Sequence, residues 1–188
     1  HLNNYLGTGD AWNLDVMDGG ISMLPPYETQ TGASWYTGTA SAVYQNIDYI
    51  KLNDPKYVLI LSGDHLYSMD YQKMIASHEN HKADLTVSVM RVPWEETSRL
   101  GILTADKDNM VKKFTEKPKE VDSNLASMGI YVFSTDVLLL ALEEDAKNED
   151  STNDFGNDLI PMLLGQKKSI HAYEFEGFWR DVGTIESY

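Results

Sequence analysis

A chain of 188 residues, 42% of them hydrophobic, is long enough for one domain with a sizeable core, which excludes a disulfide-stapled miniprotein. Fifteen Lys+Arg against 29 Asp+Glu give a net charge of -14; this excludes a surface that tracks nucleic-acid phosphates and leaves any anionic ligand to a local basic site. Zero cysteines remove thiolate zinc sites and cysteine nucleophiles and suit a reducing, cytoplasmic compartment, and no apolar run reaches the ~18 residues of a membrane span. Ala40, Val43, Ile47 and Ile50 recur at helical spacing behind Gly38-Thr39 and predict one helix. The run Tyr57-Val58-Leu59-Ile60-Leu61, bounded by Asp54-Pro55 and Ser62-Gly63-Asp64, reads as a strand buried on both faces, the kind found in parallel sheets. A helix is predicted over 70–82, a strand over 85–90, and a hairpin from strands 101–105 and 110–115 joined by Asp106-Lys107-Asp108-Asn109. A strand over 126–133, helices over 135–146 and 154–164, a strand over 169–175 and a helix start at Thr184-Ile185-Glu186 complete the pattern. This order predicts an α/β sheet with a hairpin inserted beside it.

Asp64 stands at the carboxyl end of the apolar strand. A carboxylate there can hold Mg2+ by one or two oxygens while substrate phosphates fill other positions; alternatively it begins a turn or caps a helix. Asp181, in Phe178-Trp179-Arg180-Asp181-Val182-Gly183, is a second candidate, and the two can share a metal only if the fold joins them. In Phe114-Thr115-Glu116-Lys117-Pro118, Lys117 offers a point charge to a phosphate monoester and Glu116 an acceptor for sugar hydroxyls; the other reading is a solvated, charged edge strand. Gly38 and Thr39, at a helix start behind Trp35-Tyr36, suit an anion or a nucleotide, or form a plain cap beside core aromatics. His78 and His81, three apart on a helix, lack a third metal ligand and read as an exposed pair. The P-loop, the dinucleotide glycine fingerprint, the nucleophile elbow and the zincin motif are all absent.

Six segments, in order, resemble the catalytic domain of bacterial glucose-1-phosphate adenylyltransferases, the ADP-glucose pyrophosphorylases. They are Trp35-Tyr36-Thr37-Gly38-Thr39-Ala40, Ile60-Leu61-Ser62-Gly63-Asp64-His65-Leu66-Tyr67, Phe114-Thr115-Glu116-Lys117-Pro118, Ser127-Met128-Gly129-Ile130-Tyr131-Val132-Phe133, Asp154-Phe155-Gly156-Asn157-Asp158-Leu159-Ile160-Pro161 and Trp179-Arg180-Asp181-Val182-Gly183-Thr184. The resemblance implies a Rossmann-like mixed, mainly parallel sheet flanked by helices. It also implies transfer of the adenylyl group of ATP to glucose 1-phosphate, with release of pyrophosphate, for glycogen synthesis. Asp64 and Asp181 would hold the catalytic Mg2+, with Lys117 as a third catalytic residue. Glu116, Lys117, Ser127, Tyr131, Asp154 and Trp179 would surround the sugar phosphate, Tyr36 and Gly101 would lie near it, and Gly38 and Thr39 would face the nucleotide. Because a phosphate oxygen nucleophile is already ionised at neutral pH, no serine, cysteine or histidine base is required.

One position departs from the pattern: Ser41 stands where the family usually carries an acid. By the same resemblance, residues 1–188 are expected to be a partial catalytic domain lacking the N-terminal strand and phosphate loop, with the C-terminal β-helix domain outside the chain. The whole protein is expected to form a homo- or hetero-tetramer, and the piece alone to bind ATP poorly. Two alternatives stand beside the adenylyl reading. One is a uridylyl- or thymidylyltransferase acting on the same sugar phosphate; the other is a non-catalytic regulatory subunit, against which the retention of Asp64, Lys117 and Asp181 argues.

Overall fold

Residues 5–14, 19–26, 28–29, 32–33 and 35–183 are described by a computed structural model, so the helix start predicted at residues 184–186 lies outside them. The chain divides into two units, His1–Tyr36 and Thr37–Tyr188. In the first, a 3-10 turn (Asp10–Trp12) sits between Gly9 and Asn13, both left-handed, and the short strands β1 (Glu28–Thr29) and β2 (Gly32–Ala33) pair antiparallel. Trp12 packs edge-on to Tyr5, and the Tyr36 hydroxyl donates to the Leu24 carbonyl at 2.8 Å.

The second unit is built around its longest strand. Its elements are α1 (Thr39–Tyr44), α2 (Ile47–Asn53), β3 (Tyr57–Ile60), β4 (His65–Tyr67), α3 (Tyr71–His81), β5 (Leu85–Arg91), a 3-10 turn (Trp94–Arg99), β6 (Gly101–Ala105), β7 (Val111–Glu116), β8 (Leu125–Ser134), α4 (Thr135–Asp145), a π turn (Phe155–Leu159), α5 (Ile160–Gly165), β9 (Ile170–Glu174) and β10 (Trp179–Asp181). The main sheet runs β7-β6-β8-β5-β9, and β3 also pairs with β8. One edge of β8 carries β5; the other carries β6 at residues 125–126 and β3 at residues 131–134. The sheet is mixed and flanked by helices, as expected: β3, β5, β6 and β9 run in one direction and β7 and β8 in the other, and between direct neighbours β5/β9 is the one parallel ladder among the described strands. The reason lies in the connections. A parallel pair needs a long crossover, and the chain between β5 and β9 runs through β6, β7 and β8 before α4, the π turn and α5 return it to the sheet, whereas β6 and β7 form a hairpin and β8 runs back between β3 and β5.

Alternation along β8 divides the core between two faces. Met128, Ile130 and Val132 pack with Met74 of α3, while Tyr131 and Phe133 pack with Leu138, Leu142, Phe155, Leu159 and Leu163 of the opposite helical layer. Val87 pairs with Tyr131 and Val89 with Ser127, so β8 bulges between them, and Gly129 takes the positive φ of 66° that this bulge requires.

Several elements depart from their predicted form. The single helix expected behind Gly38-Thr39 is two helices, broken at Gln45-Asn46, where the Asn46 side chain donates to the Ala42 carbonyl at 2.8 Å. The helix expected over 154–164 starts as a π turn capped by Asp154. His78 is buried, with its ring nitrogens 2.8 Å from Thr86 Oγ1 and 3.1 Å from Ser134 Oγ, so the exposed-pair reading holds only for His81. The helical face of α3 that carries His78 is the one packed on the sheet, and paired hydroxyls there satisfy a buried imidazole. Among the described residues, no helix is long and apolar enough to cross a membrane.

Candidate active site

Two short strands that the sequence pattern does not announce bring the candidate metal ligands together. β4 and β10 pair antiparallel with Asp181 opposite His65, and Val182 N–H donates to the Asp64 carbonyl at 3.0 Å, which continues the ladder to Asp64 itself. Both carboxylates converge on Gly183: a Cβ placed there would lie 3.0 Å from Asp181 Oδ1 and 3.2 Å from Asp64 Oδ2. Gly183 N–H donates to Asp181 Oδ1 at 2.8 Å, and the Ser62 hydroxyl donates to Asp64 Oδ1 at 2.5 Å. The Ser62 bond holds the Asp64 carboxyl below the usual carboxylate range; partial burial opposes this, and His65, with Nε2 3.6 Å away, adds a smaller lowering. Among the described residues, no three His, Asp or Glu side chains converge on one point. Two carboxylate oxygens with open positions beside them are a donor set that fits Mg2+, which takes one or two carboxylates and completes its shell with waters and substrate phosphates. They do not fit an all-protein zinc or calcium cage.

Beside this pair the β8 bulge presents a second set of groups. His65 Nδ1 lies 3.0 Å from Met128 O, and Trp179 packs edge-on to the His65 ring with its indole nitrogen 3.4 Å from Nδ1. The shorter contact requires the proton on Nδ1. Gly129 N–H donates to Ser127 Oγ at 3.2 Å, and the Ser127 side chain in turn bonds the hydroxyl of buried Tyr131. Burial pushes that phenol up to about 12, and the Asp154 and Glu116 charges act in the same direction, so Tyr131 remains a neutral donor at neutral pH.

Glu116 lies between two glycines. A Cβ on Gly101 would meet its Oε2 at 2.7 Å and one on Gly156 at 2.6 Å, so both positions are kept open for this carboxylate. Burial raises its pKa; Lys117 opposes the shift and Asp154 adds to it. Lys117 takes a left-handed φ of 44°, donates its N–H to the Leu100 carbonyl at 3.1 Å and keeps a largely exposed ammonium 3.9 Å from Glu116 Oε1.

Asp154 is heavily used by the fold. Its Oδ1 accepts from Gly156 and Asn157 N–H at 2.9 and 3.0 Å, and its Oδ2 accepts from the Thr39 hydroxyl at 2.9 Å. Thr39 Oγ1 also accepts from Phe155 N–H at 3.2 Å, and Gly38 packs so closely on the Asn153 carbonyl that no side chain fits there. Gly38 and Thr39 therefore hold the Asp154 loop as well as opening α1. Ser41 is buried one turn further on, accepting from Gln45 Nε2 at 3.3 Å. Tyr36 belongs to the first unit, and Trp35 is 77% exposed rather than a core aromatic.

The whole chain, residues 1–188, matches the nucleotidyl transferase family. The chain belongs to this family. It is 53% identical over 186 residues to the glucose-1-phosphate adenylyltransferases of Bacillus mycoides (strain KBAB4), Bacillus cereus (strain Q1) and Bacillus anthracis. Each alignment covers 99% of this chain and 50% of the relative, so the chain spans about half the length of the curated relatives it matches.

Within this nucleotidyl transferase, sequence reasoning missed His65 as the joint between the carboxylate pair, the β8 bulge and Trp179, and missed Gly156 as a wall for Glu116. A signal for His65 was present in its position next to Asp64. Nothing in the spacing of Gly156 marks the approach of a carboxylate from β7.

Proposed function

We propose that this chain carries the catalytic site of an enzyme that transfers the adenylyl group of ATP to glucose 1-phosphate, giving ADP-glucose and pyrophosphate. The observation that carries the reading is the β4/β10 ladder, which sets Asp64 beside Asp181. Asp64 and Asp181 would hold Mg2+, which when bound supplies positive charge for the phosphates of a nucleotide. Lys117 holds the sugar phosphate as a mobile point charge, and the ionised Glu116 accepts from sugar hydroxyls while Tyr131 and Ser127 orient the same ligand. Trp179, fixed against His65, forms the apolar wall near the carboxylates, and Gly38 and Thr39 keep Asp154 in place where the nucleotide side of the pocket opens. The sugar phosphate oxygen attacks the α-phosphorus of ATP in line, pyrophosphate leaves, and the work of the protein is to position two anions and neutralise developing charge. Similarity to the Bacillus glucose-1-phosphate adenylyltransferases favours the adenylyl branch over a uridylyl or thymidylyl one.

The test is an assay of the full natural chain with glucose 1-phosphate and each of ATP, UTP and dTTP. The expected kcat/KM for ATP exceeds the others by about tenfold or more. A preference for UTP or dTTP would assign the alternative substrate, and absence of turnover with all three would favour a regulatory subunit. Lys117→Ala is expected to raise the KM for glucose 1-phosphate by about tenfold or more with a smaller change in kcat. An unchanged KM would return Lys117 to the role of a solvated edge residue.

A further inference from the structure

The chain has three arginines, Arg91, Arg99 and Arg180, and all three line one cavity. Its volume is about 710 Å³, and it lies between the end of β5, the 3-10 turn and β10, with Val92, Pro93, Leu100 and Trp179 among its walls. Two carboxylates, Glu96 and Asp181, also line it. Arg91 Nε bonds Glu174 Oε1 at 2.9 Å and Arg99 bonds Glu96 Oε2 at 3.3 Å, whereas Arg180 has no ion-pair partner among the described residues. In a chain with 29 acidic residues, partners for a guanidinium are plentiful. Arg180 is exposed and, of the three, alone lacks an ion-pair partner among the described residues, so its guanidinium is available to an anion in the cavity.

We propose that this cavity binds a phosphate-bearing anion, at a position separate from the sugar phosphate assigned to Lys117. Guanidinium groups present forked donors that match phosphate oxygens in pairs, which an ammonium does not. The volume lies within the range of small-ligand sites. Asp181 lines the cavity, and the Leu100 carbonyl on its wall accepts from Lys117 N–H at 3.1 Å, so an anion there sits at the edge of the active site and affects it. The phosphate chemistry has two sources, the pyrophosphate of the proposed reaction or a phosphate from outside it. The site itself does not depend on the adenylyl-transfer reading.

Equilibrium dialysis of the full natural chain against radiolabelled orthophosphate and pyrophosphate, with and without Mg2+ and without nucleotide or sugar phosphate, tests the proposal. The expected result is retention of at least one anion, weakened about tenfold or more in Arg180→Gln, weakened less in Arg180→Lys, and unchanged in Lys117→Ala. Pyrophosphate binding that needs Mg2+ and disappears in Asp181→Asn assigns the site to the product of the reaction. Orthophosphate binding that is independent of Mg2+ and survives in Asp181→Asn assigns it to an outside phosphate. Near-ultraviolet circular dichroism verifies the fold of each variant, and Arg180→Lys preserves charge if the glutamine variant does not fold. Failure of the wild-type chain to retain either anion at millimolar concentration would overturn the proposal. So would wild-type affinity in the triple variant Arg91→Gln, Arg99→Gln, Arg180→Gln. Neither result bears on turnover, which is read separately.

Discussion

In the proposed site, Glu116 links burial to substrate affinity. Burial raises its pKa against the opposing Lys117 charge, and the ionised form is the one that accepts from sugar hydroxyls. The KM for glucose 1-phosphate is therefore expected to rise as pH falls from neutrality through the raised value, and Glu116→Gln is expected to flatten that part of the profile. An identical pH profile in the variant would remove Glu116 from sugar binding. The same shift means that the folded state binds a proton more tightly than the unfolded state, so ionised Glu116 weighs against folding at neutral pH. Melting curves at neutral pH are accordingly expected to show Glu116→Gln with an unchanged or raised Tm. Gly101→Ala meets the same carboxylate from the other side. Its methyl would lie 2.5 Å from Phe114 Cζ and 2.7 Å from Glu116 Oε2, and a denaturation series is expected to show a loss of about 1–3 kcal/mol with a raised KM. Glu116 and Lys117 were singled out in the sequence by their place at a strand end beside Pro118, whereas Ser127 and Tyr131 were singled out only by the family resemblance. The enclosure of Glu116 by two glycines was not legible, since Gly101 and Gly156 lie in segments far apart in the chain and meet only through packing.

At the scale of elements, long patterns were legible and short ones were not. β5, α3, α4 and β8 carry enough alternation or helical spacing to mark their cores, and Asp70 and Lys82 bound α3 by a side-chain cap at one end and a left-handed residue at the other. β4 and β10 have three residues each, too few for a period to emerge, and neither contains a fully buried residue. Their pairing is nonetheless what joins Asp64 to Asp181. An apolar strand read as buried on both faces suggests parallel neighbours, but β3 is only partly buried and gains its cover from β8 running antiparallel beside it and from both core layers. Val182→Pro isolates the contribution of this small ladder. It removes the N–H that donates to the Asp64 carbonyl, a bond worth about 1 kcal/mol in net stability, while leaving every carboxylate in the chain. The expected outcome is a higher Mg2+ concentration for half-maximal turnover with a small change in Tm. An unchanged metal dependence would mean that the ladder does not position Asp64.

For the molecule as a whole, a net charge of -14 leaves phosphate recognition to local sites, and those proposed above are a metal held by Asp64 and Asp181, Lys117, and the arginine-lined cavity. A different group, His171, contributes to acid stability. His171 is buried in β9, stacks on His81 with centroids 3.7 Å apart, and has its Nε2 3.2 Å from Ser77 Oγ. Burial, with smaller effects of His81 and His78, lowers its pKa to about 4. Because the folded value lies below the unfolded imidazole value of about 6.5, the neutral ring contributes stability in full above that pH, and the contribution is lost as pH falls to about 4. Thermal melts across this interval are expected to show a falling Tm, with a shallower fall in His171→Phe, which keeps a ring against His81 without a titrating group. An equally steep fall in that variant would assign acid sensitivity elsewhere. The most direct measurement of the proposed function is turnover of ATP and glucose 1-phosphate by the full natural chain carrying Asp64→Asn or Asp181→Asn, with Tm measured in parallel. The expected result is loss of ADP-glucose synthesis by about a thousandfold or more in each variant with little change in Tm. Near-normal turnover in either folded variant would contradict the two-carboxylate site.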